Sequence, residues 1–357
     1  MKRNNPIFFL LLGGLFFFSV PTTSSATPAS WKIFLLHSYE QDHICGQPQH
    51  EGVLAALQQA GYRPDENIRL QTYYMDTKRR NNTPALIEEQ ARLALARIRD
   101  FQPHILVTFD DNAFRTVALQ LVDVPGLQIV FSGMNRQPED YSQQKPFLHS
   151  RKHPGHNITG VYEKLHIVDA IKIQKRIFPG LQKIRMLCDL SPTGKALKRQ
   201  VELELAQHDL PVAFDTKIVR NWEEYRKEIR ALDQSEEIGT IYPVALLLKD
   251  EAGKTYTAPE IFRWTIAHCR KPAIALNYAF TSLGLFGGAA VDFKAMGQQA
   301  GELIVQILQG TPAGELSVEE AERYALVFNL NRAQQLEIEI PEDILLAADE
   351  IIYSPEK

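Results

Sequence analysis

The sequence predicts an α/β fold of two doubly wound, Rossmann-like lobes joined by a hinge that the chain crosses several times. Short apolar runs alternate with longer segments in which apolar residues recur every three or four positions. This is the pattern of parallel strands and the amphipathic helices that cover both faces of their sheet. The alternation runs through residues 31–131 and again through 183–278, and a chain of 357 residues is long enough for two domains.

The predicted strands and helices follow one another in regular order. The strands are predicted at "WKIFLLHS", "IRLQTYYMD", "HILVTFD", "LQIVFSG", "KIRMLCD", "VAFDTKIV", "IGTIYPV" and "PAIALNY". The helices are predicted at residues 50–60, 84–101, 166–178, 193–207 and 222–232. Thr83 before Pro84 is a helix start signal, and "FPG" ending at Gly180 is a stop signal.

The lobe boundaries are predicted from a break in this pattern. Residues 136–157 are rich in Pro, Gln, His and charge and show no periodicity, so we expect them to lead to the first crossover. A further helix is predicted at 294–309, followed by a strand, a short helix and a terminal helix. We therefore expect one lobe from residues 27–156 plus about 290–312, and the other from 157–289 plus about 313–357.

The N-terminus predicts export from the cytoplasm. Lys2 and Arg3 precede an apolar run at residues 7–20, and small residues end at Ala26. This is the arrangement of a secretory signal peptide, so we expect residues 1–26 to be cleaved and the mature protein to be periplasmic. An uncleaved N-terminal anchor is the alternative.

Charge and cysteine content exclude several protein classes. A net charge of -4 without long Lys/Arg blocks argues against nucleic acid as a partner, because phosphate binding needs a concentrated basic surface. Cys45, Cys188 and Cys269 are too few for a disulfide-stabilised scaffold, and we expect unpaired thiols; one disulfide with one thiol left over is the alternative. We also expect a monomer.

Motifs for chemistry are weak throughout. His43, Cys45 and His50 offer metal-ligating side chains, but their spacings of two and five fit neither paired zinc elements nor two ligands one helical turn apart. Neither a GxSxG elbow nor a glycine-rich phosphate loop follows a predicted strand. We expect no metal, no cofactor and no catalysed reaction.

Polar residues at the ends of the predicted strands are the candidate site. The carboxyl ends of parallel strands meet at one edge of a sheet, where ligands of doubly wound folds bind. The candidates from this reasoning are Ser38, Tyr39, Asp110, Asp111, Asn112, Ser132, Gly133, Asn135, Ser191, Thr193, Asn277, Tyr278 and Asp292. For each of them alone, a helix cap or a turn residue is an equally good interpretation.

These side chains suit a small amino-acid-like ligand. Backbone N–H groups after Ser191 and Thr193 can hold a carboxylate at a helix start. An aspartate, whether Asp110, Asp111 or Asp292, can receive an ammonium group. Tyr39 or Tyr278 can stack on an apolar portion. Other small polar solutes remain open.

The chain resembles the periplasmic substrate-binding components of ABC transporters with the type I periplasmic-binding-protein fold. The resemblance covers the mature chain and is carried by the order of "LLHSYE", "QPHILVTFDDNAFRTVA", "QIVFSGMN", "HNITGVYE", "IFPGLQKIRMLCDLSPTGKA" and "FGGAAVDFKAMGQQAGELIVQILQG". It implies a cleft that closes on a ligand, and it adds Tyr162, Glu163 and Pro243 to the ligand loops. Many relatives carry an Asn-Pro-containing loop where this chain has "CDLSPTG".

Two functions follow from the resemblance. The first is capture of a small ligand and its delivery to an ABC permease. The alternative is a sensory adaptor that presents ligand occupancy to a membrane histidine kinase or diguanylate cyclase, because the "HSY" opening looks like a sensory subgroup.

Overall fold

The computed structural model describes residues 30–244 and 247–353, together with Met1. The expected signal peptide therefore lies outside the described residues apart from Met1. In the described part of the chain, no helix combines the length and the apolar character needed to cross a membrane.

The first lobe is built on one parallel sheet. Its elements up to the first crossover are β1 (Trp31–His37), α1 (Gly46–Gln59), β2 (Ile68–Tyr74), α2 (Pro84–Phe101), β3 (Ile105–Phe109), α3 (Asp110–Thr116), β4 (Gln128–Met134), α4 (Pro138–Ser142) and β5 (Ile158–Tyr162). All residues of β3 and β5 are buried, as expected for strands covered on both faces. The predicted bounds of α2 are confirmed, and the Thr83 side chain accepts a hydrogen bond from the Leu86 N–H at its start.

The second lobe follows the first crossover. Its elements are α5 (Ile167–Ile177), β6 (Lys183–Cys188), α6 (Pro192–Leu205), β7 (Ala213–Ile218), α7 (Trp222–Asp233), β8 (Ile238–Pro243), β9 (Leu247–Lys249), β10 (Thr255–Thr257), α8 (Ala258–His268), α9 (Tyr278–Ser282) and β11 (Gly287–Val291). Strands β7, β6 and β8 lie side by side in a parallel sheet. The predicted strand at "PAIALNY" is wrong, because residues 272–278 make isolated bridges at Ala273 and Asn277 and then enter α9.

The chain then returns to the first lobe and leaves it again. The remaining elements are α10 (Phe293–Leu308), β12 (Glu319–Glu320), β13 (Tyr324–Asn329), α11 (Leu330–Gln335), α12 (Glu342–Leu346) and β14 (Glu350–Ile352). Helix α10 packs along α1, and β12 pairs with β5 in a first-lobe sheet of order β12-β5-β4-β3-β1-β2. Strand β13 pairs with β11 and β14 in the second lobe.

The crossovers differ in position from the predicted boundaries. Because β5 pairs with β4, the first lobe continues to residue 162 rather than ending at 156. Because β12 pairs with β5, residues 319–320 also belong to the first lobe and not to the second. The chain crosses between lobes at residues 163–166, 292 and 321–323, which agrees with a hinge of several crossovers. The α/β fold class of two lobes is confirmed.

Helices α1 and α10 approach each other unusually closely. A Cβ atom added at Gly52 would lie 2.2 Å from the Lys294 carbonyl oxygen, and one at Gly297 would lie 2.1 Å from the Gln49 carbonyl oxygen. Glycine is needed where two backbones come this near. The close contact fixes the position of α1, whose first turn borders the candidate site.

Candidate functional site

The candidate site lies where the carboxyl ends of β1, β3, β4 and β5 face the start of α6. The strand order places Asp110 after β3 and Glu163 after β5, on either side of the end of β4. Across the cleft, Gln200 Nε2 on α6 donates a hydrogen bond to the Asn135 carbonyl oxygen at 2.6 Å. The two lobes are therefore in direct contact at this edge.

Ser38 and Ser132 make their hydrogen bonds within the first lobe. The Ser38 hydroxyl donates to the Phe109 carbonyl at 2.7 Å and accepts from the Ala113 N–H at 2.8 Å. The Ser132 hydroxyl donates to Gln49 Oε1 at 2.7 Å. Both serines are fully buried, so they join strand ends and helix starts, whereas the sequence predicted ligand contacts.

Asp111 and Asn112 also hold loops of the first lobe. The Asp111 carboxylate accepts from the Asn135 N–H at 3.1 Å and from the Tyr141 hydroxyl at 2.6 Å. Asn112 Nδ2 donates to Thr77 Oγ1 at 2.9 Å. Asp111 thus fixes the backbone after β4, including the Asn135 carbonyl that Gln200 contacts.

Asp110 has a different environment. It begins α3 directly after β3 and adopts a left-handed backbone conformation, φ 64°, which L-residues other than Asn and Asp rarely adopt. Its side chain is buried, and Oδ2 has no hydrogen-bond partner among the described residues. Burial raises the pKa of this carboxyl group to about 7; Asp111 adds to the increase, whereas Lys78 and a hydrogen bond with the Gln49 side chain oppose it.

Glu163 is the second buried acid of the cleft. It lies at the first crossover and is 3 % exposed. Burial first, and then the charges of Asp110 and Asp111, raise the pKa of Glu163 well above its usual range. The neighbouring Tyr162 lies elsewhere: its hydroxyl donates to Glu320 Oε1 at 2.8 Å. The structure therefore does not bring Tyr162 into the cluster, because successive residues of a strand point in opposite directions.

The ring of Tyr39 already has neighbours from this chain. The His43 ring lies 4.4 Å from it between centroids, and the Lys78 ammonium nitrogen lies 3.9 Å from its centroid. Burial raises the pKa of Tyr39 well above its usual range, and the nearby Asp110 adds to this increase. The Tyr39 phenol is therefore neutral at pH 7 and adds no charge to the site of the two acids. Its predicted stacking on a ligand stays a prediction.

Three predicted residues of the second lobe and its return crossover act as helix caps. The side chains of Ser191, Asn277 and Asp292 accept hydrogen bonds from the backbone at the starts of α6, α9 and α10. Asn277 keeps a buried Nδ2 group without a partner among the described residues. Thr193 lies half-buried in the first turn of α6, and Pro243 ends β8 in a buried position. Tyr278 begins α9, where burial, followed by Asp292, raises its pKa.

A groove of about 240 Å³ opens between the lobes beside this cluster. It is lined by Asn135, Arg136, Gln137, Asp140, Pro192, Lys195, Ala196 and Arg199. Residues from the loop after β4 form one wall, and the first two turns of α6 form the other. Arg136, Lys195 and Arg199 make this groove predominantly basic, in contrast to the acidic interior at Asp110 and Glu163.

The polar stretch after β1 does not gather metal ligands. His43 Nδ1 accepts a hydrogen bond from the Cys45 N–H at 3.2 Å, whereas His50 Nδ1 lies 2.9 Å from His37 Nε2. Within the described residues, no group of three His, Cys, Asp or Glu side chains is placed to hold a metal ion. Burial, followed by neighbouring charges, lowers the pKa of His37 well below its usual range, so the ring is neutral at pH 7.

Sequence reasoning missed Gln49, Lys78 and Gln200. Gln49 sits in the polar stretch that drew attention for its histidines, and it is fully buried against Ser132 and Gly133. An added Cβ at Gly133, where φ is 77°, would lie 2.6 Å from Gln49 Oε1. A polar residue on the inner face of a helix is the only signal for Gln49 and Gln200. No sequence signal indicates Lys78, which lies in the loop after β2.

Comparisons with known proteins agree with this architecture. A family model described as "ABC transporter substrate binding protein" matches residues 42–352. A tyrosine-binding protein of Clostridioides difficile is 20% identical over 303 residues, which are 85% of this chain and 79% of that protein.

Two solved structures show the same fold at low identity. A conserved domain protein from Vibrio cholerae O1 biovar El Tor is 20% identical, with a TM-score of 0.67 over 90% of this chain and 100% of that one. An ABC domain in complex with L-Trp from Streptococcus pneumoniae is 20% identical, with a TM-score of 0.66 over the same shares of the two chains. The fold is that of type I periplasmic binding proteins. Since the family model also spans most of the sequence, this chain belongs to the family of ABC transporter substrate binding proteins.

Proposed function

We propose that this protein captures a small amino-acid-like ligand in the cleft between its lobes and delivers it to an ABC importer, without catalysing a reaction. The observation that carries the proposal is the buried carboxylate of Asp110, whose Oδ2 atom lacks a partner among the described residues. An unpaired carboxylate oxygen in a protein interior is costly unless a ligand completes its hydrogen bonding. An ammonium group supplies both the charge and the donors.

The basic groove supports the other half of an amino-acid-like ligand. Arg136, Lys195 and Arg199 line the opening at the start of α6 and supply positive charge there. In the first turn of α6, the Gly194 and Lys195 N–H groups already bond to Ser191, so these basic side chains are the donors for a carboxylate. A carboxylate bound there would contact both lobes while the ammonium group reaches Asp110. Contacts with both lobes stabilise the closed form relative to the open one. A membrane partner that binds the closed form preferentially therefore binds the ligand-loaded protein.

The family match favours an importer as that partner. Substrate-binding proteins of ABC importers are typically periplasmic or extracellular, and we propose a periplasmic location reached through cleavage of residues 1–26. A sensory adaptor would bind its ligand in the same way and differ only in its membrane partner. Neighbouring genes for a permease and an ATPase would support the importer, and a neighbouring kinase or cyclase would support the adaptor.

A thermal-shift screen of the mature protein against amino acids, amines, sugars and nucleosides tests the binding step. A ligand that binds only the folded protein at one hundred times its Kd stabilises it by about 2.7 kcal/mol. We expect at least one compound with an ammonium group to raise the Tm by several degrees. Asp110→Asn should abolish this response, while the exposed Asp100→Asn in α2 should leave it unchanged. Stabilisation by sugars or nucleosides alone would contradict the proposal.

A further inference from the structure

Two acids, and not one, lie buried where the ligand is expected. Asp110 is 4 % exposed and Glu163 is 3 % exposed. Asp110 Oδ2 is a buried oxygen without a hydrogen-bond partner among the described residues. Burial and the charges of Asp110 and Asp111 raise the pKa of the Glu163 carboxyl group. A single ammonium group can complete the hydrogen bonding of one carboxylate at this depth, which leaves the other without compensation.

The protein itself supplies little positive charge to this pair. Lys78 is the one basic side chain in the described residues that acts on both acids. It is exposed, and its ammonium lies over the Tyr39 ring and 3.5 Å from His43 Nε2. Asp111 needs no cationic partner from a ligand, because the Asn135 and Arg136 N–H groups and the Tyr141 hydroxyl donate hydrogen bonds to its carboxylate.

Glu163 lies at the boundary between the two lobes. Its N–H donates to the Met134 carbonyl at 2.9 Å in the first lobe, and its residue begins the first crossover. Tyr242 in β8 of the second lobe is buried, and this burial, followed by the charges of Glu204 and then Glu163, raises its pKa. A ligand group that pairs with Glu163 is therefore held in the closed cleft.

Building on the proposed function, we propose that the ligand carries two cationic nitrogen groups and a net positive charge, as a basic amino acid or a small diamine does. One cationic group pairs with Asp110 and the other with Glu163. A ligand with a single ammonium group leaves the second acid protonated and forms one charge pair fewer than a ligand with two ammonium groups, which makes its binding weaker. The two ligand classes differ in that the basic amino acid has a carboxylate and the diamine has none. Only the basic amino acid can therefore bind with a carboxylate in the groove lined by Arg136 and Lys195.

Calorimetry with matched ligand pairs tests the inference on the unaltered protein. L-lysine is compared with L-norleucine, which lacks only the side-chain ammonium, and 1,5-diaminopentane is compared with pentylamine. At pH 8 we expect the ligand with two ammonium groups in each pair to bind at least roughly tenfold more tightly than its partner, the ratio that one good charge pair supplies. Tighter binding of lysine than of diaminopentane identifies the basic amino acid, and the reverse identifies the diamine.

The Glu163→Gln variant tests whether Glu163 causes the preference for a ligand with two ammonium groups. In this variant the affinity ratio between the ligand with two ammonium groups and its partner with one should fall to about one, while binding of the partner with one is retained. Glu339→Gln, an exposed acid near the C-terminus, is the control and should keep the preference. Circular dichroism checks that the variant is folded, and the ligand pairs on the unaltered protein remain decisive if it is not.

The outcomes separate the inference from the proposed function. If norleucine binds as tightly as lysine, or if Glu163→Gln still prefers the ligands with two ammonium groups, the inference of two cationic groups is wrong. The proposed capture of an amino-acid-like ligand then stands. If no amine binds and a sugar or a nucleoside does, both the inference and the proposed ammonium site are wrong.

Discussion

Asp110 combines an unusual backbone conformation with an unusual side-chain environment. Strand β3 runs directly into α3, so the chain must turn at one residue, and Asp110 does this at φ 64°. The same turn directs its carboxylate into the protein, within 3.9 Å of the Cβ position of Gly46 in the first turn of α1. Strained residues with unpaired buried groups are concentrated at functional sites, because elsewhere the cost has no benefit.

Asp110→Asn should stabilise the free protein at neutral and alkaline pH. Burial raises the pKa of Asp110 from its ordinary 3.8 to about 7, so in this range the unfolded chain ionises more readily than the folded one. The free energy of unfolding of the unaltered protein therefore falls by up to about 4 kcal/mol as the pH rises from about 4 to 7. Asn tolerates the left-handed conformation and carries no charge, so the variant should lack this loss.

Chemical denaturation of both proteins at pH 3.5 and pH 8 measures this difference. Below pH 4 the two should be nearly equal in stability, and at pH 8 the variant should be more stable. Asp140→Asn, an exposed position in α4, should follow the unaltered protein. Equal pH profiles for Asp110→Asn and the unaltered protein would show that Asp110 is not held in a costly environment.

At the scale of elements, the pair of α1 and α10 positions one wall of the cleft. Helix α10 follows the second lobe in sequence but packs against the first. Gly52, Gly297 and Gly301 let the two helix backbones meet, and Gln49 extends from the same stretch of α1 to Ser132 at the end of β4. The strand ends and the helix are therefore held by one continuous set of contacts.

Gly297→Ala should destabilise the first lobe. Its Cβ would lie 2.1 Å from the Gln49 carbonyl oxygen, which cannot move without displacing α1. Overpacking of this kind costs about 1–3 kcal/mol, and we expect a lower Tm together with weaker ligand binding. Gly180→Ala is the matched control, because a Cβ there meets no atom within 4 Å. An unchanged Tm in Gly297→Ala would mean that the helices separate at little cost.

At the scale of the molecule, three crossovers connect two lobes that also touch across the cleft. Glu204 on α6 accepts hydrogen bonds from the Leu165 N–H at 3.1 Å and the Ile167 N–H at 3.0 Å, which ties the first crossover to the second lobe. Gln200, one turn earlier on the same helix, reaches the Asn135 carbonyl in the first lobe. Helix α6 therefore contacts both the hinge, through Glu204, and the opposite lobe, through Gln200, so a rotation that separates the lobes breaks the Gln200 contact.

Gln200→Leu should shift the free protein toward an open form. The variant loses one buried hydrogen bond across the cleft, worth about 0.5–1.5 kcal/mol. Because binding requires the closed form, ligand affinity should fall roughly two- to tenfold. Small-angle scattering of the free protein should show a larger radius of gyration, and calorimetry should show the weaker binding.

Lys198→Ala is the control for this helix. Lys198 pairs with Glu202 within α6 and does not reach the first lobe, so neither the radius of gyration nor the affinity should change. If Gln200→Leu behaves in the same way as this control, the contact with Asn135 does not contribute to closure.

The order of strands and helices and the position of the site could be predicted from the sequence. Apolar periodicity is local, so β3, α2 and most other elements were predicted close to their observed bounds, and polar residues after buried strands indicated the cleft edge. The predicted strand at residues 272–278 is wrong because its neighbours, β8 and β11, provide only isolated bridges, which no local pattern encodes.

The tertiary structure alone decided which of the candidate side chains are free to bind. Ser38, Asp110 and Asp111 look alike in the sequence as polar residues at strand ends, yet Ser38 and Asp111 are held by partners up to 75 positions away in the chain. Asp110 is left without a partner for Oδ2 among the described residues, and Glu163 joins it through the pairing of β5 with β4. Hydrogen-bond satisfaction depends on long-range packing, whereas secondary structure follows from short-range periodicity.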